Sequence, residues 1–232
     1  MRRKSKTPSS GRHVDRRHRT SDAPSETGSV RIIGGELRGR RIEYTGDPRT
    51  RPMKDRVREA AFNLLGDVDG MATIDLFAGT GALGFEALSR GAQCALFFEQ
   101  HFPTAELIRR NAASLGMADR CDVVAGDTFI QFRRAVVLPE LVKDRPWIVF
   151  CSPPYEFYVS RGDDMLHLVA QLWQSAPAGS GFVIEADDRC DFSFLPTTAE
   201  WDIRDYPPAR VAIAWTGPVH TNSSGPESFD RS

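Results

Sequence analysis

Cysteine is scarce and scattered: Cys94, Cys121, Cys151 and Cys190 are the only four in 232 residues, and no two form a CxxC pair. Histidine is equally thin, with five residues and no cluster. That distribution argues against a zinc-binding module and against a disulfide framework. Three of the cysteines lie in or beside apolar, strand-like runs, which predicts buried free thiols. Long hydrophobic runs are also missing, and no stretch approaches the roughly 20 apolar residues of a membrane helix. Residues 1–29 contain no apolar segment of the signal-peptide kind. The expectation is a cytoplasmic protein without membrane span or metal.

Net charge is nearly absent as well, at −1, but the balance conceals a polarity. Residues 1–20 carry +7, residues 21–30 carry −2, residues 31–58 carry +5, and the remainder carries −11. Basic charge at one end of an otherwise acidic chain suits a polyanionic partner, although a solvated tail beside an acidic domain explains charge alone equally well. Residues 1–29 are rich in Arg, Ser and Pro and poor in apolar residues, so they are expected to be disordered. Their composition also resembles a transit peptide, without the apolar helical face. The span from 217 to 232 reads as a second loose tail. Between the tails, residues 30–65 form an extension and residues 66–216 the main domain.

Ordinary proportions of apolar (41%) and charged (26%) residues fit one globular α/β domain with appendages. Val30–Ile33 and Leu37–Ile42 read as strands joined at Gly34-Gly35, a hairpin. From Lys54 to Leu65, Val57, Ala60, Ala61, Leu64 and Leu65 recur at helical spacing. Strands are predicted at Thr73–Phe77, Cys94–Phe98, Cys121–Val124, Trp147–Cys151 and Gly181–Glu185. Helices are predicted at Ala82–Ser89, Thr104–Leu115, Thr128–Val136 and Asp164–Trp173. Such alternation implies a parallel sheet covered by helices on both faces. Trp201–Asp205 and Val211–Trp215 follow with no helix between them, which implies an antiparallel pair at the sheet edge.

Two segments carry chemistry. The first is Asp75-Leu-Phe-Ala-Gly-Thr-Gly-Ala-Leu-Gly84, in which Gly79, Gly81 and Gly84 form GxGxxG between a strand and a helix. Glycines there permit a tight turn and close approach of a ligand to the backbone, and the helix start favours anionic groups. Alone the pattern is weak, and a nicotinamide dehydrogenase would share it. Asp75, placed to hold a ligand ammonium, and Glu99, ending the next strand where an acid can accept ribose hydroxyls, sharpen it. The second segment is Ser152-Pro-Pro-Tyr155, directly after the apolar strand Trp147–Cys151. Pro153 and Pro154 stiffen the backbone and leave carbonyls free to accept, Ser152 adds a hydroxyl acceptor, and Tyr155 offers a face for stacking a base. Two N–H bonds accepted from fixed positions would align an exocyclic amine for attack on a methyl sulfonium.

With these motifs stand Arg-Ile-Ile-Gly-Gly-Glu-Leu-Arg-Gly-Arg-Arg-Ile at 31–42 and Arg51-Pro-Met-Lys-Asp-Arg56. In this order, from about Val30 to Trp215, the chain resembles the bacterial RsmD-type 16S rRNA guanine-N2 methyltransferases. The resemblance implies a Rossmann-like, seven-stranded methyltransferase sheet with helices on both faces and a small N-terminal β-hairpin extension. It implies S-adenosylmethionine as cofactor, held by Asp75, Phe77, Ala78, Gly79, Thr80, Gly81, Glu99 and Asp127. Asp127 has a second reading, a helix N-cap before Thr128. Catalysis falls to Ser152, Pro153, Pro154 and Tyr155, and RNA contact to Arg38, Arg40, Arg41, Arg51, Lys54, Arg56 and Arg58. The implied partner is 16S rRNA or a small-subunit assembly particle, met by a monomer. Two departures stand out: Ser152 replaces the family's acid or amide, and Met53-Lys54 replaces two threonines. A catalytically weak RNA-binding assembly factor is the alternative these departures leave open.

Overall fold

The computed structural model describes residues 28–47, 50, 52–133 and 136–217; both tails and Arg51 lie outside the described residues. Seven strands form one mixed sheet and two more form a separate hairpin. The hairpin pairs β1 (Gly28–Arg31) with β2 (Arg41–Tyr44) in antiparallel register. Helix α1 (Asp55–Leu65) follows, and the sheet begins with β3 (Ala72–Asp75), α2 (Ala82–Ser89), β4 (Cys94–Glu99), α3 (Phe102–Ser114) and β5 (Cys121–Ala125). The second half comprises α4 (Thr128–Gln131), β6 (Trp147–Cys151), α5 (Phe157–Ser160), α6 (Gly162–Ser175), β7 (Gly181–Asp187), β8 (Asp202–Tyr206) and β9 (Ala209–Trp215).

Strand order is β5-β4-β3-β6-β7-β9-β8. The first five strands run parallel, whereas β9 lies antiparallel to both β7 and β8. This is the antiparallel edge that two successive strands without a helix imply. Strands are added outward from β3 to β4 and β5 on one side and then from β6 to β7 on the other, so the crevice beyond the carboxyl ends of β3 and β6 is the topological switch point, where open α/β sheets bind ligands.

Alternation along the strands explains the layers. Ile74, Leu76, Val149 and Cys151 join Met165, Leu168 and Leu172 of α6 on one face. Ile148 and Phe150 point the other way, onto Val57, Ala61 and Phe62 of α1 and Leu83 and Ala87 of α2. Strands β3, β6 and β7 are buried along their whole length, as their apolar runs require.

The hairpin differs from the sequence expectation. Its second strand begins at Arg41 rather than Leu37, because the backbone before it is committed elsewhere. The Ile33 and Gly34 amides both donate to Glu86 at 2.7 Å, the Leu37 amide to Ser89 Oγ at 2.9 Å, and the Glu36 amide to the Ser89 carbonyl. Gly35 sits at φ +73 so close to α2 that a Cβ would lie 1.7 Å from the Ser89 carbonyl oxygen. The segment is a clamp onto α2, and Arg38 and Arg40 ride on it.

One predicted surface residue is corrected outright. Arg58, expected among the RNA-facing cations, is fully buried. Its guanidinium donates to the carbonyls of Arg31 (2.8 Å) and Met53 (3.2 Å) and to Asp55 (3.0 Å), and lies 3.7 Å from buried Glu86. It joins the hairpin, α1 and α2 from inside. Helix α4 is also shorter than expected, ending at Gln131, ahead of Val136, Val137 and Pro139, residues that favour extended backbone.

Candidate active site

The glycine loop leaves β3 at the switch point. Gly79 (φ +51) and Gly81 (φ +77) adopt left-handed backbone that a side chain would strain. Gly84 has another purpose: a Cβ there would lie 2.3 Å from the Phe97 ring, so only glycine lets α2 pack this closely on β4. Backbone bonds fix the loop between its neighbours, with the Leu76 amide donating to Phe150 of β6 and the Ala78 amide to Phe98 of β4.

Three acids surround this loop. Asp75, at the end of β3, is 1% exposed, and neither carboxylate oxygen has a hydrogen-bond partner within normal geometry. Burial pushes its carboxyl up to about 7; nearby Glu99 adds to the shift, and the amides of Gly84 and Phe77 offset part of it. An orphaned buried carboxylate is costly unless a ligand satisfies it. Glu99 closes β4 and accepts from the Gly79 amide (2.9 Å) and the His101 amide (2.7 Å). Burial raises this carboxyl too, against the pull of those amides. Two of its roughly four lone-pair sites are thereby occupied, and two stay available for hydroxyls. Asp127 caps α4, accepting from the Phe129 amide at 2.8 Å, so the N-cap reading describes its local role. Its other oxygen pairs with Arg161 at 3.0 Å.

The proline turn faces the glycine loop from β6, next to β3 in the sheet. Pro153 is buried, while Ser152, Pro154 and Tyr155 are half-buried. An aromatic cluster ties the two segments together: Phe77 of the glycine loop lies 5.5 Å from Phe129 and 6.1 Å from Phe157. Arg161, immediately before α6, stacks 3.8 Å over Phe129 while holding Asp127. Thr128 Oγ1 donates to the Leu76 carbonyl at 2.6 Å and pins α4 to the same loop. Asp75, Phe77–Gly81, Glu99, Asp127 and Ser152–Tyr155 therefore all lie at or just beyond the carboxyl ends of the neighbouring strands β3, β4, β5 and β6.

The sequence reading missed Glu185 and Arg161. Glu185, on buried β7, accepts from both Ser152 Oγ and Tyr155 OH, the latter at 2.9 Å. An acid inside the apolar run Gly-Phe-Val-Ile-Glu-Ala, ahead of the closing Asp187, was the available signal. Arg161 carried no signal, since its role depends on how the chain folds back over α4.

On the hairpin side, Arg38, Arg40, Arg41, Lys54 and Arg56 are exposed. Arg40 donates to the Ser114 carbonyl at 3.1 Å and Arg41 to Ser29 Oγ at 2.9 Å. Arg41 and Lys54, together with Arg31, line a groove between β1, β2 and the start of α1.

A seven-stranded sheet with this order, a glycine loop at its switch point and acids ending β3 and β4 define the class: a Rossmann-like fold of the methyltransferase type. The chain belongs to the RsmD-type family, described as Conserved hypothetical protein 95, which it matches over residues 30–189. It is 34% identical to the ribosomal RNA small subunit methyltransferase D of Haemophilus influenzae over 137 residues, 58% of this chain and 68% of that protein. The Escherichia coli protein of the same name is 46% identical over 92 residues, 39% of this chain and just 46% of its own length. Among solved structures, Escherichia coli yhhF superposes with a TM-score of 0.67 at 27% identity, over 82% of this chain and 98% of that one. The fold also matches an RNA methyltransferase from Salinibacter ruber in complex with S-adenosyl-L-homocysteine, with a TM-score of 0.52 at 20% identity, covering 78% and 100%.

Proposed function

We propose that this protein transfers a methyl group from S-adenosylmethionine to the exocyclic N2 amine of a guanine in small-subunit ribosomal RNA. The observation that carries the reading is Asp75: an ionisable side chain, buried and unpartnered, beside the glycine loop and next to the strand bearing the proline turn. A cofactor with an ammonium group fits that vacancy in hydrogen bonding. When bound, S-adenosylmethionine supplies a methyl group on a sulfonium, which a neutral amine can take by direct displacement.

The chain's own residues do the rest. Asp75 accepts from the cofactor's ammonium, Glu99 accepts from ribose hydroxyls, and the Phe77–Gly81 backbone lines the space between them. Asp127 and the α4 start border the adenine end. Ser152 and the Pro153 carbonyl accept the two N–H bonds of the target amine, and Tyr155 borders its base. Positioning of this kind contributes much of the barrier lowering for a bimolecular displacement. Bringing a base to the turn requires its extrusion, at a cost of a few kcal/mol, offset by stacking and phosphate contacts. The extension formed by residues 30–65 presents Arg38, Arg40, Arg41, Lys54 and Arg56 to phosphates, and Arg51 belongs to the same basic stretch. The protein acts as a monomer in the cytoplasm, on 16S rRNA or a particle assembled around it.

Nucleoside mass spectrometry of ribosomal RNA from cells with and without the gene tests this. N2-methylguanosine in small-subunit RNA should fall by one residue per molecule and return on complementation. An unchanged nucleoside profile rejects the assignment.

A further inference from the structure

Glu185 sits in the middle of the acceptor side without any role in the reading above. It is 7% exposed on a strand that is otherwise apolar up to Ala186. No salt bridge to it occurs among the described residues, and what holds it instead is hydroxyls. Ser152 Oγ donates to Oε2, Tyr155 OH donates to Oε1 at 2.9 Å, and Tyr158 OH donates to its backbone carbonyl at 2.6 Å. All three come from the one segment that follows β6. Burial raises this carboxyl above the usual range, and the Ser152 and Tyr155 bonds pull it back.

A serine hydroxyl has one proton. With that proton given to Glu185, Ser152 Oγ presents only lone pairs to the crevice and must act as an acceptor. It can then receive an amine N–H and offers nothing to a carbonyl oxygen. The family's acid is an acceptor by its own chemistry; serine can donate or accept, and the bond to Glu185 confines it to accepting.

We propose that Glu185 is the carboxylate of the methyl-acceptor site, working through Ser152 as a positioning residue and proton sink; this rests on the function proposed above. As the amine lone pair closes the new N–C bond, the methyl group's bond to sulfur breaks and its electron pair stays on sulfur. The nitrogen, now cationic, gives one proton to Ser152 Oγ while Ser152 passes its own proton to Glu185 Oε2. The products are a neutral secondary amine, an unchanged serine and a protonated Glu185, which returns its proton to water. A carboxyl raised toward neutrality is better matched to that transfer than an ordinary one.

Single-turnover methyl transfer with saturating cofactor, followed from pH 5 to 9, tests the idea. Glu185→Gln should slow transfer about 100-fold, within the usual range for lost acid–base assistance. It should also abolish the acidic limb of the pH profile, with cofactor affinity unchanged. Ser152→Asp in the Glu185→Gln background should recover most of the rate, since it restores a carboxylate at the amine. A second arm needs neither cofactor nor activity. Carbon-13 NMR of glutamate-labelled, ligand-free protein should find the Glu99 and Glu185 carboxyls titrating above the normal range, and Ser152→Ala should push higher the one that Glu185→Gln removes. An active parent whose Glu185→Gln variant keeps the parental rate and pH profile overturns the inference alone. So does a Glu185 titration that ignores Ser152→Ala. A parent that methylates no ribosomal RNA defeats the proposed function and this inference with it.

Discussion

Asp75 pays for its position in stability. A carboxyl that titrates near 7 when folded and near 3.8 when unfolded binds a proton in the native state across that window. Stability contributed by the protonated form is present below the lower value and lost as pH rises towards 7, on the order of a few kcal/mol. Urea midpoints of the ligand-free protein should therefore fall between pH 5 and pH 8, and Asp75→Asn should flatten the fall. Because an ammonium prefers the ionised carboxylate, cofactor affinity should rise over pH 5.5–7.5 in the parent and stay level in Asp75→Asn. A parent with constant stability across this range would mean that Asp75 is not buried as a lone acid. The identity and place of Asp75, Glu99 and Ser152 were legible in the sequence, because each ends or follows an apolar strand. Their partners were not. Ser152 meets Glu185 across 33 positions, a contact that exists only because β6 and β7 are neighbours in the sheet.

Helix α1 was legible almost to the residue, since its apolar spacing is regular, but its one buried cation was not. Arg58 falls in the stripe Arg58, Ala61, Phe62, Leu65, the spacing of the core face, and that position outweighs its charge. Desolvation lowers the affinity of its guanidinium for a proton, opposed by Glu86 and Asp55. Removing one partner from such a buried arrangement is expensive because the others remain. Arg58→Met should cost roughly 3–5 kcal/mol, which for a domain of this size is on the order of 10 °C in Tm. Calorimetric or dichroism melting would measure it, and a shift under about 2 °C would contradict the assigned role. The hairpin strands were legible as a pair but not their limits, because the amides of 33–37 are taken by Glu86 and Ser89 of α2.

For the molecule as a whole, alternation of strands and helices was enough to read a parallel sheet with an antiparallel edge. Which acids would face which loop required the strand order, which changes sides between β3 and β6. The same arrangement gives the charge polarity a spatial meaning. Arg38, Arg40 and Arg41 are exposed on the extension clamped to α2, the helix that begins at the glycine loop. Phosphates bound there would release counterions, so affinity for RNA should depend on salt through these side chains. Replacing all three with alanine should weaken RNA binding and make the slope of log affinity against log salt shallower by roughly 2. Cofactor affinity should not change, because none of the three enters the crevice. Arg58→Met, tested below its melting temperature, should keep the parental slope, since a buried guanidinium releases no counterion. Fluorescence titrations at several salt concentrations distinguish the two variants. A triple variant with the parental slope would remove the extension as the RNA platform and move the search to the exposed cations around Lys54 and Arg56.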